Sequence, residues 1–202
     1  MKRNAIALFV LLLTTAVSAI AQVRLGVKAG YSNTHMKTDH TDYTQRKAGW
    51  HAGLMADISI AGNFFLQPQL LYSAKGYRIK EITVHGINGD FVIPGATVKL
   101  SYLELPVNFL YKHQLGSGHL FVGAGPYAAF AIGGKDGDNK IKFGKGGARR
   151  FEAGAGFLAG YELKNGLLFS ATYSLGLTDV YDYGTSKNNY IGVSVGFLLP
   201  RK

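Results

Sequence analysis

Six histidines, 12 Asp+Glu and no cysteine bound the chemistry open to this 202-residue chain. His35, Asp39, His40 and Asp42 crowd one polar stretch, and imidazoles beside carboxylates could hold a metal ion. Their spacing of i, i+4, i+5 and i+7 matches no recognised ligand pattern, so no metal is predicted there. Asp136-Gly137-Asp138-Asn139 echoes the start of a calcium loop, but Gly147 and Ala148 stand where its closing carboxylate belongs. Gly144-Lys145-Gly146-Gly147 lacks both the spacing and the Lys-Ser/Thr ending of a phosphate-binding loop. His51, His85, His113 and His119 are scattered, and no Gly-x-Ser-x-Gly elbow supplies them with a nucleophile. Gly116-Ser117-Gly118 reads as a turn. Without cysteine there is no disulfide framework, thiolate zinc site, iron–sulfur cluster, Cys nucleophile or lipidated N-terminal Cys. The expectation is a non-enzymatic protein without a cofactor, with a lipid-active enzyme as the alternative.

What would position such residues is a set of strands. Lys2 and Arg3, an apolar run from Ala5 to Val17 and Ala19-Ile20-Ala21 describe a signal peptide over 1–21, leaving 22–202 as one domain. Beyond it no apolar run reaches the roughly 20 residues of a membrane-spanning helix. Apolar residues instead alternate with small or polar ones in segments 23–32, 50–60, 66–73, 103–111, 120–130, 151–163, 167–175 and 190–199, which is the strand period. Short connections (61–63, 112–119 and 164–166) alternate with long polar ones (33–47, 79–98, 133–149 and 176–188). An even strand number, short turns at one rim and long loops at the other predict an all-β, eight-stranded antiparallel up-and-down transmembrane barrel. Both termini then fall on the periplasmic side. Pro68, Pro106 and Pro126 lie within segments, where each removes a ladder donor and predicts a bulge or bend.

The two faces of the segments differ in bulk. One carries Trp50, Tyr72, Phe109, Tyr111, Phe130, Phe151, Phe157, Tyr161, Phe169, Tyr173 and Phe197, too much volume for an eight-strand bore. The other is rich in Gly, Ser and Gln and carries Arg24, Lys28, Asp57, Lys75, Glu104, Arg150, Glu152 and Glu162. Bulky residues against lipid and charges inside predict a salt-bridged plug in the bore, with a gated ion path as the functional alternative. The connection 133–149 and its edge hold Lys135, Lys140, Lys142, Lys145, Arg149 and Arg150 against Asp136 and Asp138. These six cations are candidates to contact lipopolysaccharide or another polyanion, the plain alternative being a solvated loop. Nucleic acid is not an expected partner, because an exported chain does not meet it and the basic loop lacks interleaved aromatics.

Leu66-Gln67-Pro68-Gln69-Leu70-Leu71-Tyr72-Ser73, Tyr102-Leu103-Glu104-Leu105-Pro106 and Phe121-Val122-Gly123-Ala124-Gly125-Pro126-Tyr127 resemble the strand motifs of the PorT-like outer-membrane β-barrel family, often labelled porin family. The resemblance runs from Gln22 to Lys202 and implies an eight-stranded barrel in a Gram-negative outer membrane. One founding member serves protein secretion, so the resemblance also allows an accessory role in a secretion system. Tyr190 to Phe197 is similar to the C-terminal signal read by the barrel-assembly machinery, although Leu198-Leu199-Pro200-Arg201-Lys202 follow it here. The resulting expectation is a monomeric barrel with a structural or interaction role at the cell envelope, acting through its long loops.

Overall fold

The computed structural model describes residues 23–38, 44–86, 89–144, 147–182 and 185–200. The signal-peptide segment 1–21 lies outside the described residues, as do Asp39, His40, Asp42 and Lys145. The strands are β1 (Val23–Thr38), β2 (Thr44–Ala61), β3 (Phe64–Ile79), β4 (Ile82–Gly86), β5 (Gly89–Ile93), β6 (Ala96–Leu115), β7 (Gly118–Asp136), β8 (Asn139–Lys140), β9 (Phe151–Glu162), β10 (Leu167–Gly176) and β11 (Ser186–Leu198). Eight of them close a ring, β6-β3-β2-β1-β11-β10-β9-β7, in which β7 pairs back onto β6 and every pairing is antiparallel. Each strand therefore lies beside its neighbours in sequence, and closure leaves the ring without an edge. β4 and β5 form a separate hairpin in the connection from β3 to β6, and β8 extends β7 as a short hairpin.

Alternation decides which side chains face inward. Lys28, Ser32 and Thr34 of β1 and Gln67, Gln69, Ser73 and Lys75 of β3 are buried, while Val27, Tyr31 and Leu70 between them are exposed. The aromatic face lies outside: Trp50, Phe109, Phe130, Phe151, Phe157, Phe169 and Tyr173 are each about half exposed. The bore interior is narrow, and glycine makes its width usable. A Cβ on Gly160 would stand 2.4 Å from Cζ of Phe121, and one on Gly154 would stand 2.4 Å from Cε1 of Tyr127.

Three tight connections share one end of the barrel with the start of β1 and the close of β11. Gly62 (φ 52°), Gly116 (φ 59°) and Gly166 (φ 90°) supply the left-handed residues those turns require. The opposite, loop end differs from the sequence expectation. β1 runs on to Thr38, β3 to Ile79 and β7 to Asp136, while β6 starts at Ala96, so much of what reads as polar loop is strand. Alternation continues there with its sense inverted: Val98, Leu100 and Tyr102 are buried inside while Thr97, Lys99 and Ser101 face outward. The bulge expectation at the prolines is also corrected. The β3–β6 and β6–β7 registers keep step past Pro68, Pro106 and Pro126, with two rungs unpaired in each, whereas the shifts lie at Arg46/Trp50, Ser59/Ala61 and Ser101/Tyr102.

Candidate functional site: the charged bore and the basic loop end

The bore is layered. Nearest the turn end, Lys112 of β6 reaches Oδ2 of Asp57 at 2.7 Å and Oε2 of Glu162 at 2.8 Å, and Arg24 pairs with Oε1 of the same glutamate. Gln67 donates to Asp57 at 3.3 Å and Gln69 to Gln67 at 2.9 Å. An apolar layer follows, built from Met55, Leu110, Phe121, Leu158, Leu168 and Leu198. Further along, Lys75 stands between Glu104 and Glu152, the latter at 3.3 Å. Ser73 donates to Glu104 at 2.8 Å, while Tyr127 at 2.8 Å and Asn188 at 2.7 Å donate to Glu152. Rings of Tyr102, Tyr127 and Tyr190 surround the Lys75 ammonium at 5.0–5.2 Å. A second apolar layer, containing Met36, Tyr77, Val98, Leu100 and Val180, covers this site toward the loop end.

The loops pack onto that layer. Tyr77 and Tyr181 share a hydrogen bond at 3.0 Å, and burial raises the Tyr181 phenol above its ordinary pKa. Ala148 bridges both Phe143 and Tyr181, and Arg149 meets Oδ1 of Asp182 at 2.9 Å, which ties segment 141–150 to segment 177–182.

Arg24, Asp57, Lys75, Glu104, Glu152 and Glu162 thus converge in two networks, but the predicted cluster needs two corrections. Arg150 is exposed at the loop end, where it donates to the carbonyl of Ala131 at 3.1 Å and stacks over Phe143 at 4.8 Å. β9 begins only at Phe151, so the inward parity of position 150 is never enforced. Lys28 is buried in the bore, and none of the described groups hydrogen-bonds or ion-pairs with it; Glu104 is the carboxylate that acts on it. Sequence reading missed Lys112, the hinge of the turn-end network, because it placed the residue in a turn. β6 runs on to Leu115, and Lys112 keeps the inward parity of Glu104, Asn108 and Leu110.

The bore also holds a contact that no motif announces: His51 Nε2 lies 2.8 Å from Ser194 Oγ. Both are buried, and the charges acting on the imidazole are Lys28 and Lys75, two cations where a catalytic triad has a carboxylate. The pair ties β2 to β11 across β1. His85 pairs at 2.8 Å with Asp90 on the exposed β4–β5 hairpin. Among the described residues no three His, Asp or Glu side chains converge as a metal site.

The six candidate polyanion contacts divide. Arg149 is neutralised by Asp182 and Arg150 turns onto Phe143, whereas Lys135 and Lys140 are exposed cross-strand partners and Lys142 is exposed beside them.

Residues 18–182 match the family described as outer membrane protein beta-barrel domain, and the chain belongs to that family. It is an outer-membrane β-barrel protein. Among solved structures it is similar to the outer membrane protein OprG of Pseudomonas aeruginosa, at 10% identity and a TM-score of 0.51, over 87% of this chain and 95% of that one. Neisserial surface protein A aligns over 86% and 96% of the two chains at 14% identity (TM-score 0.49). Ail, the attachment invasion locus protein of Yersinia pestis, aligns over 88% and 99% at 11% identity (TM-score 0.47). At such identities the likeness concerns the fold. No curated protein matches the sequence.

Proposed function

We propose that this protein is a monomeric outer-membrane barrel whose bore is closed to solutes and whose role at the Gram-negative envelope is structural or interactive, exercised through the loop end. The observation that carries the reading is the manner in which Lys75 and Lys112 are held. Each ammonium sits between two carboxylates from other strands, with an apolar layer between the two sites and another toward the loops. An eight-strand ring encloses little more than its own side chains, and a polar interior satisfied by its own groups leaves a solute nothing to displace. The loops at the other end are long and pack on one another, which suits a surface offered to a partner.

The start of β1, the close of β11 and all three tight turns share one end, which supports an orientation with that end in the periplasm and the loops outside. β11, which closes the ring against β1, carries the segment offered to the barrel-assembly machinery. The narrower PorT-like affinity, with its accessory role in secretion, rests on the motifs at 66–73, 102–106 and 121–127.

Liposome swelling tests the closed bore. Vesicles holding the mature barrel are expected to admit small sugars no faster than protein-free vesicles, and faster entry refutes it. The chain has no cysteine, so Asp138→Cys at the loop end and Asn165→Cys at the turn end are single reporters of orientation. A membrane-impermeant maleimide on intact cells should label the first and spare the second; the reverse pattern inverts the barrel.

A further inference from the structure

The outer wall at the loop end carries cations set against one another. Lys99 of β6 pairs directly with Lys135 of β7, and Lys135 pairs with Lys140 of β8, so three lysines share one rung. Like charges directly opposite in a sheet are destabilising unless something neutralises them. All three are exposed, and among the described residues none forms an ion pair. Two more cations flank the rung. Lys47 lies where a Cβ on Gly76, the cross-strand partner of Lys99, would stand 3.2 Å from its Cδ, and its ammonium is acted on by Lys99 and Arg78. The acids of the same hairpin do not face this rung. Asp136 pairs with inward-facing Val98 and acts on Tyr77 and Tyr181, and Asp138 occupies the turn. Hydrogen bonds from Gly137 to Thr97 (3.2 Å) and from Ile141 to Gly134 (3.1 Å) hold the hairpin in place.

Height along the barrel says what this patch meets. At the turn end Phe64 packs on Phe109 and Tyr111, with centroids 5.4 Å apart, marking one edge of the apolar wall. From Phe64 to Ala74 the strand rises about 25 Å, at about 3.3 Å per residue and a tilt near 40°, the height of an outer-membrane apolar band. At that upper edge Trp50 packs on Tyr72 at 5.1 Å, and the Tyr72 hydroxyl donates to Ser101 at 2.9 Å. Such aromatic girdles sit at the boundary between acyl chains and headgroups. Lys99 lies two residues beyond Ser101, level with the headgroups.

We propose that Lys99, Lys135 and Lys140, flanked by Lys47 and Arg78, bind a lipid headgroup bearing a phosphomonoester, the chemistry that lipid A presents. A phosphomonoester carries nearly two negative charges and three acceptor oxygens, which suits a rung of facing ammonium groups better than the single charge of a diester. The wall below supplies an apolar surface for the acyl chains of the same molecule. The site rests on the membrane placement of the barrel and is independent of the closed bore.

Full-length mature barrel is folded in detergent, and lipid retention is read by native mass spectrometry. Wild type should retain bis-phosphorylated lipid A, and Lys99→Gln/Lys135→Gln should lose at least tenfold of that retention. Lys99→Arg/Lys135→Arg and the turn-end control Lys164→Gln should keep it. Folding of each variant is read separately from heat-modifiable mobility, and swelling assays report the bore, so loss of this site is distinguishable from loss of the barrel. Equal retention by the double Gln variant, equal retention of dephosphorylated lipid A, or retention of phosphatidylglycerol as strong as that of lipid A overturns the proposal. Displacement by millimolar inorganic phosphate alone shows a free-phosphate site and overturns it as well.

Discussion

Lysines inside the barrel and lysines on its outer wall meet their charge in opposite ways. Lys75 and Lys112 are buried and each touches two carboxylates from other strands; Lys99, Lys135 and Lys140 face one another with no described acid among them. Charges buried inside the ring must be balanced by protein groups, because an unpaired buried ion costs several kcal/mol. On the proposed placement this part of the outer wall lies level with the headgroups, which can supply anions. On that placement the neighbour of a charge, protein or lipid, is set by the parity and height of its position in the barrel.

The largest test of the comparison is Lys75→Met. It leaves Glu104 and Glu152 buried without their cation, and the barrel should lose about 3–5 kcal/mol of stability. The midpoint of urea unfolding in lipid vesicles, followed by the heat-modifiable band, would read the loss. Adding Glu104→Gln and Glu152→Gln to that variant should restore most of it. Failure of the triple variant to recover would mean that packing around Lys75, not charge balance, sets the cost.

Moving a charge the other way comes next. Phe157 is half exposed at midspan, where it pairs with Tyr173 and Ala124. Phe157→Arg should cost about 2–4 kcal/mol in vesicles, the penalty of a cation on the lipid face near the midplane. No penalty would mean that this side chain does not meet acyl chains. Lys112→Met ranks below it, at about 2 kcal/mol, because Arg24 continues to pair with Glu162 and only Asp57 is stranded. The same unfolding midpoint checks it, and a loss as large as that of Lys75→Met would show that Arg24 does not compensate.

These positions also show why part of the molecule could be read from sequence. Strands facing lipid on one side and a cramped bore on the other alternate sharply, so the eight-strand ring and the inward set from Arg24 to Glu162 follow from period and bulk. The rule of bulk outside fails where the outer face turns polar and the apolar residues lie within. Beyond Trp50 and Tyr72 the inner face carries apolar Met36, Tyr77, Val98 and Leu100 and the rule inverts, so the continuation of β1, β3, β6 and β7 and the rung of Lys99, Lys135 and Lys140 are illegible without the ladder. Lys112 could have been found by carrying β6 parity two residues past Leu110. The His51–Ser194 contact could not, since it joins β2 to β11 across β1, and no spacing records that approach.

Lys28 gives the smallest effect and the sharpest test. It lies in the bore like Lys75 and Lys112, yet has no described hydrogen-bond or ion-pair partner. Desolvation of its ammonium is therefore only partly offset by the field of Glu104, which already pairs with Lys75. Methionine nearly matches the length of the lysine stem and removes the charge, so Lys28→Met should raise the unfolding midpoint by the equivalent of about 1 kcal/mol. The sign matters more than the size. A fall would show that the Lys28 charge is needed inside, and the rule that bore cations are balanced by direct contact would give way to one in which the summed field of the interior sets stability.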